Sequence, residues 1–332
     1  MKSILGFIQI TPWHWAGFIL CILFFLALDL GVFHRNSHVV KFKEAIAWSA
    51  LWFTLAMLFA GLLGHVRGRE EAAQFTAGYL IELSLSLDNI LVIALIFSTF
   101  RVPPQYQHRV LFWGILGALV MRGAMIAGGV ALIREFDWVL YVFGVFLVLT
   151  GIKMLFIGEQ TVEPEKHPAI RLVRKLFPVT PHFEREKLFT RLNHRFALTP
   201  LALVLVLVET TDLIFAVDSV PAVFSITKNA FIVFTSNVFA ILGLRSMFFL
   251  LAGALGYFRY LKIGLSIVLV FVGAKMLLDP HGQPEKWFQL EIPTNVSLMV
   301  VATVVLIAIV LSTMVAEREK RTRQAAKNNN HG

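Results

Sequence analysis

A chain of 332 residues that is 57% hydrophobic and only 15% charged cannot cover itself with the polar surface of a water-soluble domain. Its mean hydropathy of +0.73 places it in lipid. The formal charge of +9 would suggest nucleic acid in a soluble protein, but here the basic residues gather between apolar runs, which argues against that partner. The single cysteine, Cys21, excludes an intrachain disulfide and any Cys-rich metal motif.

Nine apolar segments follow one another: Trp13–Phe33, Phe42–Gly64, Ala72–Phe100, Val110–Ile133, Trp138–Ile157, Leu198–Thr227, Phe231–Leu255, Ile263–Leu278 and Asn295–Val315. A hydrocarbon core about 30 Å thick needs roughly 20 mostly apolar residues per helical crossing, so the expected fold is an all-α integral membrane protein of about nine transmembrane helices. The first segment lacks a small-residue cleavage site and reads as a retained helix rather than a signal peptide. Residues 158–197 form one long basic polar loop, and residues 316–332 a basic tail expected to fray. The loops after the odd-numbered segments through seven, with the tail, carry 20 Lys and Arg, and the opposite side carries 6. By the positive-inside rule the N-terminus is outside and the C-terminus, the loop and the tail are cytoplasmic.

The chain also repeats itself. Gly151-Ile152-Lys153-Met154-Leu155 closes the fifth segment and Gly273-Ala274-Lys275-Met276-Leu277 the eighth. Arg122 stands 31 residues before Lys153, and Arg245 stands 30 before Lys275. Glu82 and Asp88 are six apart, as are Asp212 and Asp218. Residues 72–157 and 198–278 therefore read as two three-helix repeats. An odd number of crossings inverts one copy relative to the other, an architecture of secondary transporters whose site lies between the copies.

Six carboxylates lie within apolar segments: Asp29, Glu82, Asp88, Glu209, Asp212 and Asp218. So do four cations: Arg122, Lys153, Arg245 and Lys275. Each would cost about 2.5 to 3.5 kcal/mol at the bilayer centre if isolated, so they must pair, protonate, bind ions or meet water. Lys153 and Lys275 lie near segment ends and are expected to snorkel to the interface. Arg122 and Arg245 are central and are expected to pair with acids. Asp29 lies near the cytoplasmic end of its helix, where an interfacial role is as natural as a place on the path. Two arginines cannot neutralise the remaining five acids, which makes an ion path the default reading.

Glu209 and Asp212 share a helix face, whereas Asp212 and Asp218 point about 120° apart on an ideal helix. Pro221 is expected to break that helix, freeing carbonyl oxygens beside Asp218. Its counterpart in the first repeat is Leu91, so that half would use the Asn89 oxygen instead. The expected metal ligands are thus Glu82, Asp88, Asn89, Glu209, Asp212 and Asp218. His108 sits at a segment's edge and His65 in a loop, and both read as hydrogen-bonding residues rather than ligands. An all-oxygen set suits Mg2+, Ca2+ or Mn2+, and the residues do not choose among them.

The stretches Glu82–Asn89, Val208–Ala222 and Phe231–Arg245 resemble the acidic motifs of the TerC family and the segment that follows them, nearest its Alx branch of bacterial inner-membrane proteins. The resemblance implies export of Mn2+ from the cytoplasm, with the acids of both motifs and Asp29 on the metal path. It implies no permanently bound cofactor, Mn2+ being cargo. A membrane scaffold that loads metal into secreted proteins, or supports tellurium or stress resistance, is the alternative. The partners expected are the ion, the bilayer, and either another copy of the chain or a secretion-associated protein. No motif of an intramembrane hydrolase is present, so no enzyme is expected.

Overall fold

A computed structural model describes residues 12–28, 42–156, 167–192, 195–252, 261–279, 289–290 and 292–329. It is almost wholly helical: α1 (Pro12–Leu28), α2 (Phe42–Val66), α3 (Arg69–Thr99), α4 (Pro104–Glu135), α5 (Val139–Phe156), α6 (Pro168–Leu176), α7 (Pro200–Phe224), α8 (Ala230–Ala252), α9 (Leu261–Leu278) and α10 (Thr294–Asn329). Between α6 and α7 lies a hairpin, β1 (Phe189–Leu192) paired antiparallel with β2 (Arg195–Leu198).

Local sequence explains where these helices begin. Proline opens α1, α4, α6 and α7, where its missing N–H is one that a helix leaves unused anyway. Glu70 and Glu71 occupy the first turn of α3, favourable to its dipole, and Arg67 donates to Glu71 Oε1 at 2.7 Å across the bend. That bend turns at Gly68, whose φ of 105° is open to glycine.

Eight helices, α2 to α5 and α7 to α10, are long and apolar enough to cross a membrane among the described residues. The first expected segment is described only as the 17-residue α1, which is shorter than these eight. The polar loop holds α6 and the hairpin. One expectation is corrected: the tail does not begin a frayed segment at residue 316, because α10 runs on as one helix to Asn329. Hydrogen bonding within the helix needs no lipid, so the end of the apolar run does not end the helix.

Helices α3 to α5 and α7 to α9 form two trios that interlock: α3 packs on α8, α4 on α7, and α5 on α9. Helices α3 and α8 are largely enclosed, whereas α2 and α10 turn Leu58, Leu62, Met299 and Leu306 outward as a lipid-facing helix would. The α5–α9 contact is made of backbone. A Cβ at Gly273 would stand 2.7 Å from Gly144 O, and one at Gly151 would stand 2.9 Å from Ser266 O. The numbering runs forward on one helix and backward on the other, so the two cross antiparallel. Small residues permit this close approach, the usual route to helix association in lipid. Aromatic rings fasten α1 against α8, with Trp15 and Phe231 centroids 5.3 Å apart and edge to face.

Candidate functional site

Within the packed interface between the trios lies a buried cation that bridges α3, α4 and α7. Arg122, midway along α4, is 2% exposed. Its Nε and Nη2 donate to Asp212 Oδ2 and Oδ1 on α7, at 3.2 and 3.0 Å. Its Nη1 donates to Glu82 Oε2 on α3 at 2.6 Å and reaches Ser219 Oγ at 3.4 Å. Asn89 Nδ2 adds a further donor to Asp212 Oδ1 at 2.7 Å. The planar guanidinium suits such a fork on one carboxylate while its third nitrogen serves another.

The four partners are two matched pairs. Glu82 and Asn89 are seven apart on α3, and Asp212 and Ser219 are seven apart on α7. Seven residues make nearly two full turns, so each pair shares a face. Each pair occupies the same place in its own trio. Sequence reasoning missed Ser219, and this seven-residue spacing is the signal that would have found it.

Three buried oxygens around this cluster have no hydrogen-bond partner among the described residues: Glu82 Oε1, Asn89 Oδ1 and Glu209 Oε2. Glu209 lies one turn before Asp212, close enough for their charges to interact. Its carboxylate rests against α4 at Gly117, where a Cβ would come within 2.0 Å of Oε1. Glycine leaves the room that Glu209 occupies here, and a methyl would make its carboxylate swing aside. If ionised, Glu82, Glu209 and Asp212 against Arg122 sum to −2, a charge that lipid burial does not tolerate uncompensated.

The remaining acids stand elsewhere. Asp88 on α3 faces the charge of Lys262 at the start of α9. Asp218 on α7 accepts a hydrogen bond from Thr150 and lies near Lys153, both on α5. Among the described residues, no three Asp, Glu, His or Cys side chains come together as a ready-made metal site. The expected convergence of five acids is therefore corrected: Glu82 and Asp212 meet at Arg122 with Asn89 beside them, Glu209 stands one turn from Asp212, and Asp88 and Asp218 lie apart. The cause is helix geometry. Helix α7 continues through Pro221 to Phe224, so the expected break is absent and the 120° offset of Asp218 from Asp212 persists. Pro221 lies in the last turn among buried neighbours, where losing one backbone hydrogen bond ends the helix soon after instead of opening it.

Lys275 is also corrected. It is 3% exposed, with Nζ 4.0 Å from Asp279 Oδ2, and does not snorkel. Lys153 is exposed, as expected of a snorkelling lysine, and adds its charge to Asp218. Arg245 is buried on α8. Asp29 lies outside the described residues. His108 lies within α4, and His65, expected in a loop, lies in the last turn of α2.

The family model described as "Integral membrane protein TerC family" matches residues 67–320, which include both trios and the Arg122 cluster. Among similar proteins, "Uncharacterized membrane protein STKORF319" of Myxococcus xanthus is 51% identical over 95% of this chain and 96% of its own. The "Putative membrane-bound redox modulator Alx" of Salmonella typhi is 44% identical over 94% of this chain and 98% of its own. The Escherichia coli K12 protein of the same description is 43% identical over the same shares. No solved structure matches the chain.

Proposed function

This chain belongs to the TerC family of integral membrane proteins, and on that premise we propose that it is a secondary transporter that moves a divalent cation, Mn2+ foremost, out of the cytoplasm. The observation that carries the reading is the set of buried oxygens left without donors on Glu82, Asn89 and Glu209, beside a carboxylate already held by Arg122. Burying unpartnered acceptors and an excess of negative charge is costly, and a hard dication is the ligand that relieves both at once. Neutrality without the ion requires protons on the acids, which makes proton exchange the natural coupling.

Transport needs two arrangements of the same residues. In the one described, Arg122 closes Glu82 and Asp212 together, its guanidinium standing where positive charge is needed. A dication entering between α3, α4 and α7 displaces the guanidinium and takes the vacated oxygens. Asp88 and Asp218 then serve as relay acids on either side of the cluster, and Asp29 as an approach. The antiparallel crossing of α5 and α9, and the equivalent places of Glu82 and Asp212, support reading the trios as inverted repeats that rock about the cluster. The reading includes the bacterial cytoplasmic membrane as location, nine crossings, N-terminus outside and C-terminus inside. The choice of Mn2+ over Mg2+ and Ca2+ rests on the family.

One observation favours a second reading. Arg122 forks on both oxygens of Asp212 and also holds one oxygen of Glu82, ties that would suit a permanent cross-link in a non-transporting scaffold for metal loading or stress resistance. The redox role in the relatives' name has no internal dithiol to act through here, since Cys21 is the sole cysteine. Flux measured with purified protein in liposomes separates the two. Transport predicts Mn2+ movement that Glu82→Gln and Asp212→Asn abolish. No flux from the unaltered chain, or flux indifferent to both substitutions, leaves the scaffold.

A further inference from the structure

The described residues between α5 and α7 take no part in the buried cluster. Helix α6 packs on α7, and Ile170, Leu188 and Leu198 join the same apolar core as Leu201. The element is thus clamped to the end of α7. Strand β2 ends two residues before α7 opens at Pro200. Phe196 is four residues from that entry, a reach of at most roughly 14 Å for an extended chain. The headgroup zone extends about 5 to 8 Å beyond the hydrocarbon on each face, so the element begins within or beside it.

Its outer surface is both apolar and basic. Leu172, Leu176, Phe177, Phe189 and Phe196 are 58%, 63%, 41%, 56% and 52% exposed. Leu172 and Leu176 share the face of α6 opposite Ile170. They continue through Phe177 to Phe196, ring centroids 5.9 Å apart, and on to Phe189 at 5.4 Å. Residues 167–192 hold six Lys and Arg against two Glu, and both Glu are half-buried with partners of their own. Glu184 accepts from Thr190 Oγ1 at 2.5 Å, and Glu186 from Arg109 of α4 at 3.2 Å. Lys175, Arg174, Lys187 and Arg191 remain exposed around the apolar patch.

We propose that α6 and the β1–β2 hairpin form a surface for anionic lipid headgroups. They lie on the bilayer with Leu172, Leu176, Phe177 and Phe196 at headgroup depth and the basic side chains on lipid phosphates. An apolar stripe flanked by Lys and Arg is the pattern of interfacial helices, and anionic lipid adds attraction that salt weakens. A second copy of the chain fits poorly, because the same face would meet its own positive charge. The proposal rests on the chain spanning a membrane and not on what it transports.

The test uses the full chain in nanodiscs of phosphatidylcholine, with or without phosphatidylglycerol. Leu176→Cys in a Cys21→Ser background carries an environment-sensitive fluorophore. The expected result is a blue-shifted emission in phosphatidylglycerol discs, quenched by lipids spin-labelled at the headgroup and reduced by salt or by Arg174→Glu with Lys175→Glu. The unlabelled chain should show slower amide exchange over 171–177 in the same discs. Water-like emission in both disc types overturns the proposal. An equal shift in both overturns the anionic part of it. A shift present only when two copies share a disc assigns the face to self-association instead.

Discussion

Removing the Arg122 side chain should unbalance the centre of the molecule. Arg122→Leu deletes four contacts and leaves Glu82 and Asp212, 0% and 6% exposed, facing each other with no cation between them. Hydrogen bonds to charged groups are worth about 1.5 to 3 kcal/mol each, yet much of that only offsets the desolvation of the ions. The expected net loss is that of a buried ion pair broken on one side, about 3 to 5 kcal/mol, a large part of a typical stability of about 5 to 15 kcal/mol. The triple variant Arg122→Leu with Glu82→Gln and Asp212→Asn removes the stranded charges and should recover most of it. Thermal unfolding in detergent or nanodiscs, read through the chain's seven tryptophans, measures both. Mn2+ should stabilise Arg122→Leu more than the unaltered chain, because it takes the place the guanidinium left. A single variant within about 1 kcal/mol of the parent, or a triple variant no better than the single, would refute the reasoning.

Gly117→Ala sets a methyl within 2.0 Å of where Glu209 Oε1 lies, against the flexible end of a side chain. It should cost about 1 kcal/mol or less in unfolding while lowering Mn2+ flux; unchanged flux would remove Glu209 from the site. Gly273→Ala meets the Gly144 carbonyl instead, and backbone cannot swing away. Its expected cost is about 1 to 3 kcal/mol, whereas Gly128→Ala, with nothing within 4 Å, should be neutral or slightly stabilising by the same assay. Glu82→Gln and Asp212→Asn share Arg122 and should be non-additive in stability by about 0.5 kcal/mol or more, while Asp218→Asn should add independently to either. Additivity of the first pair would mean that Arg122 does not couple them.

Sequence made the membrane class legible because apolar runs of bilayer length have few other uses, and among the described residues eight of the nine segments appear as helices long and apolar enough to span. The importance of Glu82, Asp212 and Arg122 was legible too, since each is a costly group in lipid. Their arrangement was less so. That one arginine takes both equivalent acids depends on how α4 crosses α7, which Gly114 and Gly117 permit and no periodicity announces. Pro221 misled because a proline's effect depends on its distance from the helix end, and it stands three residues from Phe224. Lys275 misled because burial depends on neighbours on α9's flank that are remote in sequence. The hairpin after α6 was hidden by strands of four residues, too short to show alternation against a basic background.

The seam between α5 and α9 has a consequence at a distance. Gly144, Gly151 and Gly273 set the gap between those helices at the thickness of two main chains. Each helix is the last member of its trio, so this seam fixes how closely the two trios approach along it. Hydrogen atoms in place of methyls thereby gauge the spacing of the halves that carry Glu82 and Asp212.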